Sequence, residues 1–121
     1  MNTFAWLVIG HFVGDWLLQN EWMARGKKQG VFTWAGLTHF VVYTTVIMGA
    51  LALSGAREKP AISMAVCALT FVSHWAIDAL DAAGRWLRLV LQSNLEVVRL
   101  VVDQMLHVLV LALLIVLFIG G

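Results

Sequence analysis

Seven side chains carry the chemistry this chain can do: His11, Asp15, His39, His74, Asp78, Asp103 and His107. Three of their pairings, His11 with Asp15, His74 with Asp78 and Asp103 with His107, share a spacing of four residues. That spacing sets both members of a pair on one face of a helix. Histidine nitrogens and carboxylate oxygens without a thiolate make a donor set suited to zinc, manganese or iron, and unsuited to copper(I) or an iron-sulfur cluster. All seven are candidate ligands of a divalent metal, with zinc the best match. Asp15, Asp78 and Asp103 are the candidate catalytic carboxylates, one of which would serve as general base toward a metal-activated water. Gln19 and Gln104 are placed to orient the ligands through hydrogen bonds.

The elements that must position these residues are apolar helices. Of the 121 residues, 61% are hydrophobic and 12% charged, against roughly half and a quarter in soluble domains. A membrane-crossing helix needs roughly 20 apolar residues, so the chain predicts an all-α, polytopic membrane protein. Its expected form is a single domain over residues 1–121 with four transmembrane helices in a bundle. The first helix begins at Asn2 or Thr3, both good caps, and runs to about Ala24, before the basic turn from Arg25 to Gly30. Thr33 caps a second helix, Trp34 to Leu53. Pro60 suits the first turn of a third, which reaches at least Ala83. The segment GRWLRLVLQ after it is amphipathic and basic, either an extension or an interfacial piece. Ser93-Asn94-Leu95-Glu96 reads as a capping box opening a fourth helix to about Ile119. The N-terminus lacks the basic region and small-residue cleavage site of a signal peptide.

Loop one holds Arg25, Lys27 and Lys28, and loop three holds Arg85 and Arg88 with Arg99 nearby, while the loop between offers Arg57 and Lys59. The positive-inside rule therefore puts loops one and three in the cytoplasm and both termini outside. Trp22, Trp34 and Trp86 fall at the cytoplasmic helix ends and Trp6 at the opposite end, as an aromatic belt would place them, whereas Trp16 and Trp75 lie deeper and read as core. Asp81 reads as an ion-pair partner of Arg85. Gly10 and Gly14 form a small-residue face for close helix packing. With one cysteine, Cys67, no intramolecular disulfide is possible.

Counted along the helices, the polar side chains all fall in the cytoplasmic half of the membrane, and antiparallel neighbours bring them level. Three aspartates at such depth cost on the order of 8 to 10 kcal/mol on the insertion scale. No lysine or arginine lies at that depth. Compensation must come from the histidines, a bound cation, protonation or water, so the seven residues are expected to face a shared interior.

The run from Gly10 to Ala24, GHFVGDWLLQNEWMA, with His39, the HWAID of helix three and the DQMLH of helix four, resembles an uncharacterised family of small bacterial and phage membrane proteins, a domain of unknown function. The resemblance spans nearly the whole chain. It implies a polar signature of His11, Gly14, Asp15, Gln19, His39, His74, Asp78, Asp103, Gln104 and His107, and brings no established activity.

Function then rests on chemistry. The expected protein is an integral protein of the bacterial inner membrane with a metal-dependent, hydrolase-type site that acts on a lipid or lipid-linked substrate near the cytoplasmic side. The alternatives are a proton or cation transport component, in which His and Asp relay the ion, and a non-catalytic membrane partner with a structural polar core. Haem on two histidines is less natural beside aspartates. The expected partners are membrane lipids and a second copy of the chain. The charge balance, eight basic against seven acidic residues, argues against nucleic acid. Cysteines introduced singly in loop one and in the Arg57 loop should be labelled from opposite faces of the membrane; labelling of both from one face would exclude this topology.

Overall fold

The computed structural model describes residues 1–120, and all of their regular structure is helical. Helix α1 covers Thr3–Phe12 and passes into a π-helical turn, Val13–Leu17; the short α2 is Glu21–Gly26. Two long helices follow, α3 over Trp34–Leu53 and α4 over Pro60–Ala79. The amphipathic α5 is Ala82–Leu89, and α6, Glu96–Leu114, ends in a second π-helical turn, Ile115–Ile119. Three of these are long and apolar enough to cross a membrane: Trp34–Leu53, Pro60–Ala79 and Glu96–Ile119. The first segment is shorter, with 10 residues in α1 and 5 in its π turn.

Local chemistry explains the boundaries. The Asn2 side chain accepts from Ala5 N at 2.9 Å, and Thr33 Oγ1 accepts from Gly36 N at 3.0 Å, so both expected caps form. Pro60 opens α4, where its missing N–H costs no hydrogen bond. The capping box at Ser93 does not form. Leu95 is the cap residue of α6, with no side-chain cap bond, and Ser93 Oγ instead accepts from Leu95 N.

Two expected helices are interrupted. The first does not run to Ala24: the Leu18 N–H reaches back to the Val13 carbonyl at 2.9 Å, a five-residue step, and Asn20 then caps α2 through Met23 N at 2.9 Å. The third stops at Ala79 rather than Ala83, because Asp81 adopts a left-handed backbone, φ 51°, and caps α5. A non-glycine residue is stable there when its side chain bonds locally. Asp81 does so by accepting from Gly84 N, and the carboxylate lies so close to Gly84 that a Cβ would collide with it.

Helix α1 packs against α3 and α6, and α4 packs against the same two helices. Their halves remote from loop one form an apolar core of Leu7, Tyr43, Ile47, Ala50, Leu51, Val66, Leu111 and Ile115. The glycine face of α1 is spent inside the chain. A Cβ on Gly10 would lie 2.8 Å from Ala50 Cβ, and one on Gly14 would lie 3.2 Å from the Tyr43 Cα. It is therefore not free to pair with a second copy. Trp16, read as core, points outward with 52% exposure, because the π turn rotates it away as it brings Asp15 in. Gly14→Val should lower stability by about 1 to 3 kcal/mol, the usual cost of overpacking, as a shift in thermal unfolding in detergent; an unchanged midpoint would show that α1 does not dock on α3 this closely.

Candidate metal centre

The π turn is the first device that builds the site. A π-helical step widens the turn and re-aims the side chains within it. Gly14 leaves the room that lets Tyr43 approach, and the buried Asp15 enters between α3, α4 and α6. The other polar residues arrive from regular helices: His39 from α3, His74 and Asp78 from α4, and His107 from α6, all buried.

Four donor atoms from these residues meet. His39 Nε2 lies 2.8 Å from His74 Nε2, 3.1 Å from Asp15 Oδ1 and 3.6 Å from Asp78 Oδ2. His74 Nε2 lies 3.6 Å from Asp15 Oδ1 and 3.4 Å from Asp78 Oδ2. Together Asp15, His39, His74 and Asp78 form a buried group able to hold a metal ion, and Asp15, Asp103 and His107 form a second. Two imidazole nitrogens 2.8 Å apart can share at most one proton, so at least one of the two is unprotonated.

The surrounding bonds fix these donors. Tyr43 stacks on the His74 ring with centroids 3.7 Å apart, and its hydroxyl lies 3.0 Å from His11 Nδ1. His11 Nε2 lies 2.8 Å from Gln104 Oε1, which accepts its proton. The Gln104 amide nitrogen in turn donates to Asp15 Oδ2 at 3.0 Å and Asp103 Oδ2 at 3.2 Å. His11 is thus in the cluster but engages neutral partners through both nitrogens, and neither group able to hold a metal includes it. His107 Nδ1 donates to the Asp103 carbonyl at 2.8 Å, which turns Nε2 toward Asp78 Oδ1, 3.4 Å away. Such a backbone bond is how metal-binding histidines are commonly oriented. Asp103 is half-buried. Gln19 makes no side-chain bond to the cluster, and its Oε1 is buried without a hydrogen-bond partner among the described residues.

The residue that sequence reasoning missed is Lys27. Its ammonium lies 2.8 Å from Asp78 Oδ2 and 3.3 Å from Asp15 Oδ1, with all three side chains buried. Counting depth along a continuous first helix left it in a loop outside the membrane. The break at Leu18–Asn20 instead folds α2 back against α3. Gly26 packs on Ala35 with no space for a Cβ, Thr33 Oγ1 donates to the Gly26 carbonyl at 2.6 Å, and Trp75 Nε1 donates to the Val31 carbonyl at 2.8 Å. Burial alone would lower the lysine pKa, but Asp78 and Asp15 outweigh it and hold the group above its ordinary value, as an ammonium. Asn20 followed by Glu21, a cap and a first-turn acid, was the available signal for this turn-back. Asp81 also departs from expectation: it pairs with Arg99 and, at 3.9 Å, with Arg88, while Arg85 Nε donates to the Leu80 carbonyl. The left-handed backbone at Asp81 turns its carboxylate toward α6.

A cleft of about 620 Å³ reaches the cluster from the loop-one side, lined in part by Lys28, Asp78, Asp81, Glu96, Arg99 and Asp103. A wholly apolar groove of about 410 Å³ runs between α1 and α6, where Phe12, Trp16, Met105 and Leu109 line it and Gln104 stands at its wall; Leu100 borders both spaces.

These features define an all-helical protein with membrane-type helices around a buried histidine and aspartate cluster. The chain belongs to the family described as "Protein of unknown function (DUF3307)", whose model matches residues 3–120. No curated protein and no solved structure matches it.

Asp78→Ala would leave the buried Lys27 ammonium with one weaker partner. Breaking a buried pair typically costs about 3 to 5 kcal/mol, so a clear loss of stability is expected in unfolding titrations of the metal-free protein; a wild-type midpoint would show that Lys27 is not held here.

Proposed function

We propose that the cluster is a zinc-type metal centre in the membrane, reached from the cytoplasmic side, and that it serves hydrolysis of a lipid or lipid-linked substrate. The observation that carries the metal is the spacing of the four donors. Ligands about 2.1 Å from one tetrahedral zinc lie about 3.4 Å from one another. Five of the separations among them run from 2.8 to 3.6 Å, and the donors come from three different helical segments. Asp15, His39, His74 and Asp78 are the proposed ligands, with His107 and Asp103 beside them. When bound, the metal would supply Lewis acidity toward an oxygen of the substrate or of water.

The chain's own residues then divide the remaining work. Asp103 borders the open cleft and, half-buried, can take a proton from a water there. His11 and Gln104 hold the carboxylates of Asp15 and Asp103 in place, and Tyr43 holds His74. Substrate of amphiphilic character suits the two spaces that meet at Leu100, a polar cleft for the head and an apolar groove open to lipid for the chain. A transport role is less well supported, since the apolar core of Leu7, Ile47, Leu51, Val66, Leu111 and Ile115 stands between the cluster and the opposite helix ends. In this scheme the first segment also enters the membrane beside the three long helices, both termini face outward, and copies associate through a face other than that of Gly10 and Gly14.

Protein purified without chelator should carry zinc or a similar ion, and His39→Ala and His74→Ala should each lose it while the protein still inserts. Proteoliposomes of bacterial lipid should show a hydrolysed product that vanishes with chelator and falls at least about a hundredfold, within the range of a general base, in Asp103→Asn. A metal-free wild-type protein that takes up no added zinc would refute the centre, and a loaded protein without product would refute the hydrolase.

A further inference from the structure

Lys27 touches the same two oxygens that the proposed metal would use. Its ammonium contacts Asp15 Oδ1 and Asp78 Oδ2, and these are the oxygens that face His39 Nε2 and His74 Nε2. A cation coordinated by those four donors would sit against a positive charge, in a buried site where repulsion is weakly screened. We infer that Lys27 is the specificity-determining residue of the centre: a tethered cation that shares its oxygens in competition with the ion and yields them only to a divalent one. This rests on the metal centre proposed above.

Charge is the basis of the selection. A monovalent ion would exchange one unit of positive charge for another and still have to evict the ammonium. A divalent ion brings twice the charge and gains the two imidazole nitrogens, which an ammonium cannot use as ligands. The backbone around Lys27 is pinned, for its Cα lies 3.3 Å from where a Gly36 Cβ would be and the neighbouring Gly26 is locked on Ala35. What can move is the four-carbon side chain. The cleft beside Asp78 offers it space and carboxylates, with Asp81 and Glu96 on its walls. Binding of the ion therefore swings the Lys27 amine from the buried pair into the cleft, toward solvent, without unfolding α2.

The experiment uses the full-length protein in detergent and zinc chloride as the only added ligand. Calorimetric titration compares wild type with Lys27→Met, and mass spectrometry follows modification of the wild-type Lys27 amine by an acetylating reagent, with and without zinc. Zinc should bind Lys27→Met about tenfold or more tightly than wild type, a modest coupling for two groups that compete. Lys27 modification in wild type should rise on zinc binding and stay low in sodium or potassium chloride. Equal affinities together with a Lys27 that stays protected in the zinc-loaded protein would overturn the inference and leave the metal centre standing. Zinc binding to neither protein would overturn the metal centre itself. Should Lys27→Met fail to fold, the wild-type modification decides alone: exposure on zinc binding supports the displacement, and continued protection overturns it.

Discussion

Lipid offers no hydrogen-bond partner and no counter-charge to a carboxylate, and Asp15 and Asp78 are buried all the same. The path of the first segment follows from meeting that constraint. Two anions a few ångströms apart in a poorly screened interior need positive charge between them. The chain supplies it by bending loop one into the helices and inserting Lys27. The bend requires α1 to end early, which the π turn at Val13–Leu17 and the Asn20 cap accomplish. The tight seats of Gly14 on Tyr43 and Gly26 on Ala35 bring the pieces close enough to meet. Remove the need to neutralise these carboxylates, and a straight first helix would be the simpler solution.

The cluster itself was legible in the sequence because its signals are local and periodic. Spacing by four puts His74 and Asp78 on one face, and the cost of an aspartate in lipid says that the face must turn inward. Neither statement needs a tertiary contact to be known. The same holds for the Thr33 cap and for Pro60 at the start of α4. Lys27 was not legible in this way. Its role depends on a change of chain direction at Leu18–Asn20, and the apolar residues on both sides of that break disguise it as continuous helix. Asp81 failed to be read for a related cause: a residue four from an arginine looks like an ion pair on a helix, but a left-handed backbone at that residue ends the helix and re-aims the carboxylate to Arg99. Ser93 shows the converse, a sequence pattern for a cap that the chain does not use.

Neutralisation and coordination make different demands on such a cluster. A salt bridge would be satisfied by Lys27 and the two aspartates alone. It gives no reason for two histidines to turn Nε2 toward each other at 2.8 Å, nor for buried Nδ1 atoms of His39 and His74 that lack hydrogen-bond partners among the described residues. Each such buried atom carries a desolvation cost that no bond within the described residues offsets. Lys27 thus accounts for the carboxylates, while the close pair of imidazoles is what sets the cluster apart from a simple salt bridge and makes it a group able to hold a metal ion.

The distribution of polarity along the helices bears on what such a centre can do. Its apolar side is packed by Leu7, Ile47, Val66 and Leu111, all nearly inaccessible, while its other side opens through the cleft past Asp103 and Arg99. A conduit would need polar side chains or space on both sides. The cluster is thus closed by apolar side chains toward one set of helix ends and borders a polar cleft toward the other. The apolar groove that shares Leu100 with the cleft adds a lateral opening toward lipid. That groove borders the cluster through Gln104, the side chain that donates to both Asp15 and Asp103, so the lipid-facing surface and the buried carboxylates are joined by one amide.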